Sequence, residues 1–255
     1  MFERIKNLFV DSFFAPRDSF EPCGMFTPSH ILSAVLCVLS VFIVFWIIRI
    51  KNVKINKTKV IRSLALIITI LECIKIAHSF CYGYYYLDSW FPLSYCGLFI
   101  YALWIVGYGK SSIRRAGEVF IAYGCPVAGV LFLIFPTTSL MSFPIWHYLS
   151  LYSLLFHTLM LFCGIMMLYS EPKLNKSSYI HYIIFITVFS IIAITLNSIY
   201  GSNLMNLREP YNIPIQFLQT LYANSKIGFT LFAYFIFAII PFVSNLLFLK
   251  KRKTF

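Results

Sequence analysis

SHILSAVLCVLSVFIVFWII, residues 29–48, runs for 20 residues without an Asp, Glu, Lys or Arg. At ~1.5 Å per residue a helix of that length reaches about 30 Å, the thickness of a bilayer's hydrocarbon core. Its apolar residues lie on every face, so it has no polar side to turn toward water. In lipid the backbone must satisfy its own hydrogen bonds, which selects a helix, and the alternation of a barrel strand is absent. Composition extends this reading to the whole chain. Of the 255 residues, 60% are hydrophobic and only 12% charged, the profile of a polytopic membrane protein rather than a soluble domain. Further apolar runs follow at 63–82, 90–108, 117–135, 149–169, 179–199 and 228–249. The expected fold is therefore all-α with seven transmembrane helices. It forms one domain over 28–249, with an N-terminal segment at 1–27 and a basic tail at 250–255.

The segments between the runs set the orientation. Arg49, Lys51, Lys54, Lys57, Lys59 and Arg62 follow the first run, and Lys110, Arg114 and Arg115 follow the third. Lys173 and Lys176 follow the fifth, and the tail holds Lys250, Lys251, Arg252 and Lys253. The alternate loops are poor in Lys and Arg: Asp88 in one, none in PTTSLMSFP, and Arg208 and Lys226 in the last. The positive-inside rule then places the C-terminus in the cytosol and the N-terminus outside, in a multi-pass protein of the cell membrane. The net charge of +12 is thus a topology signal, and no nucleic-acid partner is expected. The first 27 residues lack the apolar centre of a cleaved signal peptide. Phe2, Ile5, Phe9 and Phe13 share one helical face there, as in a short interfacial helix. The seven cysteines sit mostly inside apolar runs and do not form a disulfide framework.

Ionisable groups inside a span are costly and are functional suspects by default. Glu72, Lys75 and His78, three apart, share a face of the second span; His157 is central in the fifth. Cys96 lies 12 residues before Tyr108, His157 12 before Tyr169, and Lys75 12 after residue 63. Each is then roughly 18 Å above the inner boundary, so thiol, imidazole and ammonium share one level. Each also has a plainer reading. Cys96 can be a small apolar filler, His157 a helix-to-helix hydrogen-bond partner, and Glu72 with Lys75 a self-neutralising pair. His147, beside Trp146, reads as an interfacial residue, His30 and His181 need no function, and Glu118 pairs with Arg114 one turn away. If Cys96 and His157 do meet, the chemistry is acyl transfer. The thiolate attacks an ester, a thioester forms, and His returns the proton to the leaving alcohol. A cavity poor in water favours transfer over hydrolysis. Backbone donors near Pro92 are the expected oxyanion partners. No metal motif and no phosphate loop occurs, so neither a metal nor a cofactor is expected; GCPVAG reads as close helix packing.

FPLSYC at residues 91–96, GCPVAGVLFLIFP at 124–136, Phe143 with Pro144, HTLM from His157 and GSNLMNLREP at 201–210 occur in that order. In this the chain resembles the YwaF-type bacterial integral membrane proteins. Those show an LPLHLC-like span start, a Gly-rich span ending in Pro, an FP turn, a central His and an outward GTNYMxLxxP-like stretch. Ser94 stands where that motif has its second-last-but-one residue, a His. That family is similar in turn to an animal polytopic acyltransferase that makes polyunsaturated ether phospholipids through a Cys and a His. The resemblance implies Cys96 as nucleophile and His157 as acid and base. Topology adds a constraint: for a site reached from outside, cytosolic acyl-CoA is an awkward donor, so a phospholipid is the expected donor and a lysolipid or lipid-linked hydroxyl the expected acceptor. The interval from Pro144 to His157 is about one turn longer than in the animal enzyme.

The candidate site is thus catalytic Cys96 and His157, with Glu72, Lys75, His78, Ser94, Asn197 and Asn203 as substrate-binding residues. The rival readings are a non-enzymatic small-molecule carrier or substrate-binding subunit, and a partner-binding protein whose polar groups only glue helices together.

Overall fold

Thr27 opens the first long helix by accepting the His30 N–H on its hydroxyl at 3.3 Å, and Pro28 fills the first helical position, where no N–H is needed. The resulting helix α1, Pro28–Ile50, belongs to a computed structural model that describes residues 9–169, 174–210 and 215–249. Every regular element among the described residues is helical. After α1 come α2 Lys57–Cys81, α3 Leu87–Trp90, α4 Leu98–Tyr108, α5 Ser111–Val119 and α6 Cys125–Ile134. Then follow α7 Tyr148–Leu168, α8 Lys176–Tyr200, α9 Gln216–Asn224 and α10 Lys226–Leu249. Side-chain amides cap two more starts: Asn56 accepts from Lys59 and Asn175 from Ser178. Gly201, at φ 68°, closes α8 in the left-handed conformation that glycine adopts without strain.

Among the described residues five helices are long and apolar enough to cross a membrane: Pro28–Ile50, Ser111–Met141 taken through its kinks, Tyr148–Leu168, Lys176–Tyr200 and Lys226–Leu247. The other two expected spans differ. Helix α2 has the length, 25 residues, but holds Glu72, Lys75 and His78. The third expected span, 90–108, is not one helix. Pro92 lacks an N–H and holds Phe91 in extended backbone (φ −77°, ψ 122°), so the helix stops at Trp90 and restarts at Leu98. What remains, α4, has 11 residues and reaches about 16 Å, half the hydrocarbon core. The fourth span is continuous but wound unevenly. Between α5 and α6, residues Phe120–Gly124 form a π turn just before Pro126. A proline cannot donate to the carbonyl four residues back and its ring crowds that carbonyl; widening the turn relieves the clash. In α10, Pro241 frees the Phe237 carbonyl in the same way, and the Tyr182 hydroxyl of α8 donates to it at 2.9 Å.

The core gathers on α4, the π turn and α6 to α8, where Leu98, Phe99, Phe120, Tyr123 and Tyr182 are fully buried. GCPVAG does serve close packing. A Cβ on Gly129 would meet the His157 carbonyl at 2.8 Å, and one on Gly164 would meet the Pro126 ring at 2.6 Å. Around this core α1 lies at the periphery and exposes Leu32, Phe42 and Trp46. Exposed large apolar side chains on α8 and α10, such as Ile191, Leu231 and Phe235, continue an apolar belt of the kind lipid covers. Basic loops collect at one end of the bundle. Arg62 donates to the Gly107 carbonyl, Arg115 to Ser178, and Ser112 meets His181.

Of the expected interfacial helix, residues Phe9–Phe13 form a single helical turn. Phe2 and Ile5 lie outside the described residues, but Phe13 and Phe14 pack on Tyr148 and Ala15 is buried in the bundle. All seven cysteines are free thiols.

Candidate functional site

The break between α3 and α4 puts irregular backbone inside the helical bundle, a placement tolerated only where protein or a cavity surrounds it. Cys96 stands near the end of that break, half buried against the core that holds Leu93, Tyr95 and Leu98. Ser94 is exposed and shapes the turn, its Oγ accepting the Gly97 N–H at 2.9 Å. The N–H groups of Leu98, Phe99 and Ile100 donate to the carbonyls of Ser94, Cys96 and Gly97. The N–H groups of Gly97, Leu98, Phe99 and Ile100 are therefore engaged in the turn.

His157 sits mid-way along α7, 6% exposed. Its Nδ1 lies 2.7 Å from the Ser153 carbonyl, an acceptor, so Nδ1 carries the proton. The Nε2 lone pair is buried without a hydrogen-bond partner. The ring stacks on Phe132 of α6, centroids 3.5 Å apart and nearly parallel. Because Nε2 has no partner, no hydrogen bond joins it to Cys96. An aromatic pair links the two neighbourhoods instead: Phe99, one turn after Cys96, packs edge-on against Phe156, and Phe156 packs edge-on against His157.

Glu72 and Lys75 do pair, Nζ to Oε1 at 2.7 Å, and the Tyr152 hydroxyl of α7 donates to the other carboxylate oxygen. Tyr148, one turn earlier, donates to the Leu71 carbonyl at 2.5 Å. Glu72 is thus a buried carboxyl group with a partner on each oxygen, Lys75 and Tyr152, and it ties α2 to α7. The Lys75 side chain stays 28% exposed. His78 does not join this pair. With His147 it converges on one backbone atom, the Ala15 carbonyl oxygen, with Nε2 distances of 3.2 and 3.0 Å. A carbonyl has two lone pairs and can accept both. His147, expected at an interface, is fully buried and stacks on Phe143.

Asn197 and Asn203 build a loop. Asn197 accepts from Ser202 and from the Leu204 N–H, and donates to the Leu204 carbonyl. Asn203 accepts from the N–H groups of Arg208 and Glu209 and donates to the Glu209 carbonyl. Both amides are occupied, which fits a structural role rather than contact with a substrate. The loop they hold lies on the break: the Met205 N–H donates to Leu93 O at 3.0 Å, and the Asn203 N–H to Asp88 at 3.3 Å. Leu204 and Met205 are buried in the same core cluster that Cys96 packs against.

The family model of the TMEM164 family matches residues 25–249, nearly the whole described bundle. The chain belongs to the TMEM164 family. That match identifies the membrane family without carrying the finer YwaF-type resemblance. No curated protein matches the chain, and no solved structure does. For this TMEM164-family chain, reasoning from the sequence missed Tyr148, Tyr152 and the Ala15 carbonyl. The two tyrosines had a visible signal. With Phe156 they recur every four residues, one stripe of a helix turned to a neighbour. The Ala15 contact had none. Among the described residues no three His, Cys, Asp or Glu side chains converge as metal ligands would.

Proposed function

We propose that the chain is a membrane-embedded lipid acyltransferase or transacylase. The observation that carries this reading is His157: a neutral imidazole with its Nδ1 proton tied to a carbonyl and its Nε2 lone pair buried and unused. That is the form a general base needs. Nε2 takes the Cys96 thiol proton as sulfur attacks a phospholipid ester carbonyl. The ester C–O bond breaks, Nε2 gives the proton to the departing lysolipid oxygen, and a Cys96 thioester remains. An acceptor hydroxyl on a lysolipid or lipid-linked alcohol then attacks the thioester, its proton passing through Nε2 back to sulfur. The reading requires the Phe99–Phe156 contact to open when a lipid ester enters, so that imidazole and thiol meet. Catalytic contacts often close only in the substrate complex.

Seven membrane crossings, with the N-terminus outside and the C-terminus cytosolic, belong to the same proposal, as does the YwaF-type and animal-acyltransferase resemblance. The basic residues gathered at one bundle end support the orientation, and α2 and the α3–α4 pair supply the two further crossings. The donor is then a phospholipid of the outer leaflet of the cell membrane.

The test is acyl exchange between labelled phospholipid and lysolipid by purified protein in nanodiscs. Cys96→Ala is expected to abolish exchange, and His157→Gln to lower it ~10²-fold or more. A hydroxylamine-sensitive acyl adduct on Cys96 should appear by mass spectrometry. Full activity in both variants overturns the assignment. The exposed part of Lys75 supports a second reading, a non-enzymatic carrier or substrate-binding subunit. That reading predicts stoichiometric ligand binding, lost in Lys75→Met, with no acyl adduct.

A further inference from the structure

At the opposite end of α4 from Cys96, where the basic loops gather, a cleft of about 140 Å³ opens between α2, α4 and α5. Its rim is Lys57, Thr58, Arg114 and Glu118, and its floor is apolar, including Ile61 and Val106. Val106 lies ten residues beyond Cys96 along the chain, roughly 15 Å if helical, so this cleft is separate from the candidate active site. Among the described residues that line the cleft, two cations, Lys57 and Arg114, face one carboxylate, Glu118, which accepts from Arg114 Nε at 2.8 Å. The Arg114 contact runs through Nε, so the two Nη groups are not used by it. Guanidinium, ammonium and hydroxyl around a small cleft are the donor set that holds a phosphate group. The apolar floor and the neighbouring exposed Ile113 and Tyr108 suit an amphiphile better than a free ion.

We propose that this cleft binds the phosphate of an anionic lipid headgroup from the leaflet facing the basic loops. The site is independent of the acyl-transfer reading, and its test reads binding alone. Purified protein in neutral detergent is titrated with phosphatidic acid, with diacylglycerol of the same chains, and with inorganic phosphate, following bound species by native mass spectrometry and the unfolding temperature. Phosphatidic acid should bind and raise the unfolding temperature, while diacylglycerol should do neither. Arg114→Gln and Lys57→Gln should each weaken phosphatidic acid about tenfold, the scale of one charged hydrogen bond. Glu118→Gln, which removes the competing carboxylate, should tighten it, an effect that misfolding cannot imitate. Lys59→Gln, on the same helix but off the rim, is the control. Equal binding of diacylglycerol, or unchanged affinity in Arg114→Gln, Lys57→Gln and Glu118→Gln, overturns the proposal. Inorganic phosphate binding as tightly as phosphatidic acid removes the lipid from it and leaves a soluble phosphate.

Discussion

His147 caps α7 by accepting the Leu149 N–H on Nδ1, which leaves the proton on Nε2 for the Ala15 carbonyl. The ring is therefore held neutral, and both bonds define its tautomer. Burial is the main cause that pushes its pKa down from the ordinary 6.5 to about 4; the Ala15 bond works against this and nearby His78 with it. Between pH 6.5 and 4 the unfolded chain binds the proton and the folded chain does not, so stability falls as pH falls through that window and is level above it. The unfolding temperature of detergent-solubilised protein should show this slope. His147→Asn keeps a capping oxygen but cannot titrate, so its profile should be flatter. An unchanged slope in that variant would assign the effect to another group. Single residues were unevenly legible from the sequence. The Glu72–Lys75 pair and the Arg114–Glu118 pair are set by spacing along one helix and form as expected. Cys96 and His157 share a depth by counting, yet depth leaves azimuth undetermined. Azimuth is set by how α4, α6 and α7 pack, and it is Phe132 that occupies the face of the imidazole.

Elements were more legible than contacts, because hydropathy and length fix where a helix can cross lipid while proline fixes where it breaks. The first, fifth, sixth and seventh apolar runs each lie on one long helix. The third does not, since Pro92 ends one helix at Trp90 and the next begins at Leu98, after the turn that Ser94 shapes. The compensation for Pro241 was hidden, because the donor comes from a different helix, 55 residues away in sequence. A double-mutant cycle tests it. Tyr182→Phe removes the donor to Phe237 O and also the 2.7 Å contact with the Tyr95 hydroxyl. The loss should cost on the order of 2 kcal/mol. In a Pro241→Ala background the helix can bond its own Phe237 carbonyl, so the cost should shrink by about 1 kcal/mol. Equal costs in both backgrounds would show that Tyr182 does not serve the freed carbonyl. Helix-to-helix approach makes a parallel case. Gly129→Val must push α7 away from a backbone contact at 2.8 Å, and a loss of about 1–3 kcal/mol in thermal unfolding is expected.

Across the whole molecule, the loop that lies on the break is expected to limit access to Cys96, since it is bonded to Leu93 and Asp88 on either side of Pro92. The loop is held to α8 by Asn197, which bonds both the N–H and the carbonyl of Leu204, and the loop in turn holds Leu93 through Met205. Hydrogen bonds shut off from water are costly to break without replacement, so the cover stays closed while the Asn197 amide is intact. The seven free thiols report on this from several places at once. Cys73 and Cys81 are exposed, Cys125 and Cys163 are buried, and Cys96 is intermediate. A small apolar maleimide added to protein in lipid should label Cys81, at the end of α2, fast and leave Cys125 and Cys163 unmodified over the same time. Cys96 should react between these limits. Asn197→Ala leaves the Leu204 groups unpaired, at a cost on the order of 3 kcal/mol, and should raise the labelling rate of Cys96 at least tenfold. The rate at Cys81 and the protection of Cys125 and Cys163 act as internal standards, and that protection separates local opening from global unfolding. If Cys96 labels no faster while those standards hold, the loop is not its cover and lipid must reach the thiol from the side of the bundle instead.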